Sequence, residues 1–147
     1  MSSAELGDIG SRPMEVRRGG GIGHFLVTIV AFFFLGLADL VLRGLSFRSL
    51  HRLVGAWPSL GRRTNAESAR KISDATDRAA TLYFKHPWCL QRSAAAVLLL
   101  RCLGFPAELV IGVRRVPFYT HAWVELESEP INETPDVIAN FRVMERC

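Results

Sequence analysis

Apolar positions along this chain fall first at helical spacing and then, beyond about residue 105, at the alternating spacing of strands. From Phe25 to Ala38 the run FLVTIVAFFFLGLA is almost wholly apolar, and its character continues past Asp39 to Leu45, which predicts a first helix. A membrane-spanning helix needs ~20 predominantly apolar residues, whereas this run stops after 14, closed by Asp39 and Arg43. It reads as a buried or partly buried core helix, with a membrane-surface helix anchored by Arg43, Arg48 and Arg52 as the alternative. Arg17 and Arg18 ahead of it imitate the cationic start of a signal peptide, but no small-x-small cleavage site follows. Trp57-Pro58 and Gly61 break the pattern. Asn65 then offers an N-cap for a second helix with apolar positions Ala69, Ile72, Ala75, Ala79 and Leu82, ending near Phe84. Pro87 suits the first turn of a third helix, which runs with Cys89 in that turn through Leu90–Leu103 to Gly104, a natural C′ residue.

After Phe105-Pro106 the short β-branched run Leu109–Val113 predicts a buried strand. From Thr120 to Glu127 alternation is strict, with Ala122, Val124 and Leu126 on one face and His121, Trp123, Glu125 and Glu127 on the solvent side. Glu129-Pro130 turns the chain, and Ile131-Asn132-Glu133 can return as a third antiparallel strand. The fold class is therefore α+β, N-terminal helices packed on a small antiparallel sheet.

At 147 residues with 49% apolar and 22% charged, the chain suits one globular domain and excludes a disordered or collagen-like class. Residues 1–21, polar and Gly-rich, read as a disordered lead-in, and 22–147 as the domain. The formal charge of +4 is N-terminal: residues 1–63 carry eight Arg against four acids, 64–147 ten Lys or Arg against ten. Without clustered cations in the second half, nucleic acid is not an expected partner. Gly19–Gly23 lacks the Lys-Ser/Thr ending of a phosphate-binding loop. Cys89, Cys102 and Cys147 are too few and too irregularly spaced for a disulfide framework or a CxxC metal site, which points to a reducing cytoplasm.

The candidate chemistry gathers at Cys89, His121 and Glu133. At a helix start, unpaired N–H groups and the helix dipole stabilise a thiolate, so Cys89 is placed as a nucleophile. His121 follows 32 residues later on a strand that can pack on the Cys89 helix. Glu133, 12 residues further on, can accept from the imidazole and fix its tautomer. Zinc held by His86, Cys89 and His121 would lack a fourth ligand, so no metal or other cofactor is expected. Cys102 lies 13 residues along the same helix, ~20 Å away at 1.5 Å per residue, too far to partner Cys89. Cys147 sits at a fraying end. Glu125, Glu127 and Glu129 read as a solvated face with docking of a basic peptide as the alternative, and Arg114 and Arg115 as loop charges near the site.

These residues also carry a resemblance. Cys89-Leu-Gln-Arg-Ser, Leu100-Arg-Cys-Leu-Gly104, Leu109-Val-Ile-Gly-Val113, His121-Ala-Trp-Val-Glu125 and Ile131-Asn-Glu133 together resemble the transglutaminase-like leader peptidases of lasso-peptide biosynthesis. The likeness covers residues 24–145, and it implies a transglutaminase-like, papain-like cysteine protease fold. It further implies a Cys89 nucleophile, a His121 general base and acid, and Glu133 as third member where the family usually has Asp. The implied activity is endopeptidase cleavage of a ribosomal precursor peptide at its leader–core junction; the backbone N–H of Cys89, placed in the first turn of its helix, reads as one oxyanion donor. The implied partners are the precursor peptide, a separate winged-helix leader-binding protein, because residues 1–21 leave no room for one, and an ATP-dependent cyclase. The reading from a different class is a non-catalytic adaptor that holds a biosynthetic complex at the membrane surface.

Overall fold

The structure, a computed structural model, describes residues 21–83 and 88–147. The expected lead-in through residue 20, the helix end at Phe84, His86 and the helix-starting Pro87 lie outside the described residues.

The long apolar segment is one helix, α1 (Gly21–Gly44). It is longer than its uninterrupted apolar run, and Phe25–Gly44 has the length and composition of a membrane span. Ala31, Phe34, Leu35 and Ala38 are nevertheless buried against the rest of the domain. A second helix that the hydrophobic pattern did not separate from the first, α2 (Phe47–Ala56), starts at Ser46, whose hydroxyl accepts from the Ser49 N–H at 3.3 Å. Helix α3 (Ala66–Leu82) has the expected cap, Asn65 Oδ1 accepting from the Ser68 N–H at 2.9 Å. Its last apolar position, Leu82, points into solvent rather than the core.

Helix α4 (Cys89–Cys102) is apolar nearly all round, and every residue from Ser93 to Arg101 is buried, as a core helix must be. It packs on α1, α2, α3 and the sheet. It ends at Gly104, whose φ of +89° is the left-handed conformation glycine adopts without strain. Gly61 abuts Gly104 so closely that a Cβ on Gly61 would stand 3.2 Å from the Gly104 Cα. The buried Arg101 guanidinium ties three segments together, donating to the carbonyls of Ala107 at 2.8 Å, Trp57 at 3.2 Å, and Val54.

The sheet is antiparallel with order β3-β2-β1-β4. Strands β1 (Ala107–Arg115) and β2 (Phe118–Leu126) form its centre, with Gly112 opposite His121. Three expectations change here. The chain turns at Glu127-Ser128, both with positive φ, so β3 is Glu129–Pro130 and the expected strand 131–133 is a bend. Ile131 still donates to the Val124 carbonyl at 2.8 Å, and the Asn132 side chain takes over the next ladder bond by accepting from the Val124 N–H at 2.8 Å. Beyond a short α5 (Pro135–Ile138), β4 (Arg142–Arg146) pairs with β1, and Cys147 is no fraying end: its N–H and C=O bond Leu109 at 3.0 and 2.7 Å. Arg114 and Arg115 lie within β1, not in a loop.

Because the C-terminal segment folds back over the sheet, the face of β2 expected to be solvated is covered. Trp123 is fully buried, and Glu125 is buried too, accepting from Trp123 Nε1 at 2.8 Å and pairing with Arg146. A buried Glu125 cannot belong to an acidic docking face; Glu127 and Glu129 remain exposed.

Candidate active site

Cys89 occupies the first turn of α4, preceded by Trp88 in extended conformation. An indole cannot accept a hydrogen bond, so the helix start is secured from the other side: Gln91 Oε1 accepts from the Trp88 N–H at 2.8 Å. Gln91 is itself buried, and its Nε2 donates to Asp39 Oδ1 at 2.7 Å. Arg43 Nε closes the chain on Asp39 Oδ2 at 2.8 Å. The one acid in the apolar helix thus holds the residue that holds the Cys89 turn, a role that local sequence did not reveal because its partner lies 52 residues away.

One turn on, Ser93 Oγ donates to the Ala122 carbonyl at 2.9 Å, pinning α4 to the strand residue beside His121. Asn132 Nδ2 donates to the same hydroxyl at 3.1 Å. Asn132 therefore braces helix and strand at once and delivers its neighbour Glu133 to the imidazole.

His121 Nε2 and Glu133 Oε1 are 2.9 Å apart. In the tautomer with the proton on Nε2, His121 donates to Glu133 and Nδ1 is left able to accept. Nδ1 is buried and has no hydrogen-bond partner among the described residues. The ring is held by aromatics, Tyr119 and Trp123 stacked at centroid distances of 6.3 and 6.2 Å and Phe141 tilted at 5.5 Å. Arg114 in turn lies 5.8 Å over the Phe141 ring, backing this cluster. Glu133 has a second neighbour, Arg92 Nη2 at 3.7 Å, and Arg92 Nε reaches Asp77 Oδ1 at 3.2 Å. Burial raises the Asp77 carboxyl above its usual range, with Arg92 opposing.

Cys89 and His121 line a single cavity of about 480 Å³, walled largely by Phe47, Trp88, Leu90, Ile111 and Tyr119. The structure thus brings Cys89 and His121 to one cavity and Glu133 to the Nε2 nitrogen of the ring. Cys102 stands apart, accepting from Trp57 Nε1 at 3.3 Å.

The family model of the transglutaminase-like superfamily matches residues 34–146, from within α1 to the end of β4. The chain belongs to the transglutaminase-like superfamily. Over 49 residues this transglutaminase-like chain is 45% identical to the microcin J25-processing protein McjB of Escherichia coli. That stretch is 33% of this chain and spans 24% of McjB. No solved structure matches the chain.

Proposed function

We propose that this transglutaminase-like chain is a cysteine endopeptidase that removes the leader from a ribosomally made lasso precursor peptide. The observation that carries the reading is the shared cavity of Cys89 and His121, with Glu133 Oε1 2.9 Å from His121 Nε2. The similarity to a microcin-processing protein supports the substrate class.

In this mechanism His121 Nδ1 accepts the Cys89 proton and the thiolate attacks the scissile carbonyl carbon. The oxyanion forms beside the N-terminal N–H groups of α4, where the Cys89 N–H is unpaired within the helix and serves as one donor. As the C–N bond breaks, His121 gives its proton to the departing amine and a thioester remains on Cys89. Water then attacks the thioester, His121 takes the water's proton and returns it to sulfur, and the leader leaves as a free acid. Glu133 holds the imidazole in the tautomer with Nδ1 free and stabilises the imidazolium; Arg92 keeps the carboxylate aimed.

The proposed setting is cytoplasmic. The precursor peptide is the substrate, a separate winged-helix protein recognises the leader, and an ATP-dependent cyclase consumes the freed core. Incubating the chain with the precursor peptide and weighing the products tests the reading: cleavage at one bond between leader and core supports it. An intact precursor, with and without the leader-binding protein, would overturn it.

A further inference from the structure

Helix α1 is apolar on both sides, yet among the described residues only one side is covered. Ala31, Phe34, Leu35 and Ala38 pack into the core, while Phe25, Leu26, Ile29, Val30, Phe33 and Leu40 stand 40–68% exposed. At helical spacing these six fall on one side of α1, opposite the buried four. The exposed apolar surface continues through Leu45 to Phe47, which reaches the wall of the Cys89 cavity.

Charge distinguishes what covers this side. Residues 21–63 hold five arginines against the single Asp39, whereas residues 1–20 and 64–147 each balance, so the whole formal +4 of the chain lies in the segment that carries the stripe. Asp39 is buried and paired with Arg43, which leaves no exposed acid from residue 21 to 63. Arg43 follows Leu40 by three positions and so flanks the stripe, and Arg48 and Arg52 are exposed on the next helix. A wide apolar face bordered by Arg43, Arg48 and Arg52 complements a surface with hydrocarbon beneath anionic headgroups.

We propose that the exposed side of α1, with Arg43, Arg48 and Arg52, docks on an anionic bilayer surface. The helix lies in the plane of the interface and does not cross it, because leaving the core would uncover Ala31, Phe34, Leu35 and Ala38. Such docking sets the Phe47 wall of the cavity near the headgroups. The proposal does not depend on the peptidase reading, since binding is measured without substrate.

Flotation of the full chain with vesicles tests it. Vesicles of equal parts phosphatidylglycerol and phosphatidylcholine should carry the protein, and added salt should weaken binding. Arg48→Gln and Arg52→Gln should each lower partition about fivefold, and Phe33→Glu at least about tenfold. All three positions are exposed, and unchanged circular dichroism verifies the fold. Failure to float with anionic vesicles overturns the proposal, as does equal, salt-independent binding to pure phosphatidylcholine. Retention through an alkaline carbonate wash would mean a spanning helix. A dimer in solution that Phe33→Glu splits, without vesicle binding, would assign the face to a second copy.

Discussion

Glu133 Oε1 lies 2.9 Å from His121 Nε2, although the two residues belong to a bend and a strand that share only an edge of the sheet. The juxtaposition is produced by Asn132, whose amide bonds both the Val124 N–H of β2 and the Ser93 hydroxyl of α4. If Glu133 orients and charges the imidazole, Glu133→Gln should lower turnover by roughly 10³- to 10⁴-fold while leaving the melting temperature nearly unchanged. Glu133→Asp should keep much of the activity, because Arg92 can still hold the shorter carboxylate. Steady-state kinetics beside thermal denaturation decide it: near wild-type turnover in Glu133→Gln removes Glu133 from the reaction, with Asp136 next to be tested.

The two cysteines of α4 should separate cleanly. Cys89→Ala should abolish precursor cleavage, a loss of several orders of magnitude as for other dismantled nucleophile–base pairs, with the fold retained. Cys102→Ala should keep cleavage and lose a little stability, since Trp57 Nε1 loses its acceptor. Iodoacetamide should label Cys89 fastest near neutral pH. Full cleavage by Cys89→Ala would end the peptidase reading.

What the sequence made legible was local. Asn65 before an amphipathic run, a breaker-free stretch from Cys89 to Gly104, and the β-branched and alternating runs around 109–126 each carry their own signal. The break between α1 and α2 was hidden because apolar residues continue on both sides of Ser46, and only its hydroxyl cap marks the new start. The turn at Glu127-Ser128 lacks the glycine or asparagine that usually accompanies two positive φ values. Strand β4, Arg142–Arg146, is exposed throughout, so its pairing leaves no hydrophobic pattern. Covering by Phe141 and Arg146 then reverses the environment of His121, Trp123 and Glu125, which alternation alone assigns to solvent. Of the candidate site, Cys89 and His121 were legible from residue type and element and Glu133 from residue type alone, its expected strand being a bend, whereas Asp39, Arg92 and Asn132 act through partners distant in sequence.

Gly112 offers a test of how closely His121 is held. It pairs across the sheet with His121, and a Cβ there would lie 2.7 and 2.8 Å from two atoms of the Trp123 ring and 3.0 Å from the Phe141 Cβ. Both aromatics contact the imidazole. Gly112→Ala should therefore displace them, costing about 1–3 kcal/mol of stability as overpacked cores do. Turnover should fall further than that of equally destabilised variants remote from the cavity. Chemical denaturation and kinetics on the same preparation provide the check, and unaltered turnover would show that the imidazole does not depend on its aromatic neighbours.

Cys147 gives the domain a pH dependence of definite sign. Burial pushes its thiol from the ordinary value of 9.0 up to about 11, with Arg101 opposing. The folded state then keeps a proton that the unfolded chain releases, so stability from this group is intact below pH 9 and declines as pH rises toward 11. Cys147→Ala should flatten that part of the stability profile relative to wild type. Urea denaturation across this interval measures it, and identical slopes would show that the thiol is not held apart from water.

The chain from Arg43 through Asp39 and Gln91 to the Trp88 N–H gives the last prediction, in which stability and chemistry should come apart. Gln91→Leu leaves the buried Asp39 without its amide donor and the Trp88 N–H without its acceptor. The buried Asp39 carboxylate, still paired with Arg43 but short of one hydrogen bond, dominates the cost, about 2 kcal/mol. Adding Asp39→Leu removes that charge and replaces it with apolar volume, so the double variant should regain most of the lost stability. It cannot regain the bond that closes the first turn of α4, because among the described residues Gln91 Oε1 is the acceptor of the Trp88 N–H. Cys89 should remain loosely placed, with slow alkylation and reduced turnover despite a restored melting temperature. Recovery of both properties together would mean that Asp39 and Gln91 only stabilise the fold, and that the helix start holds the thiol unaided.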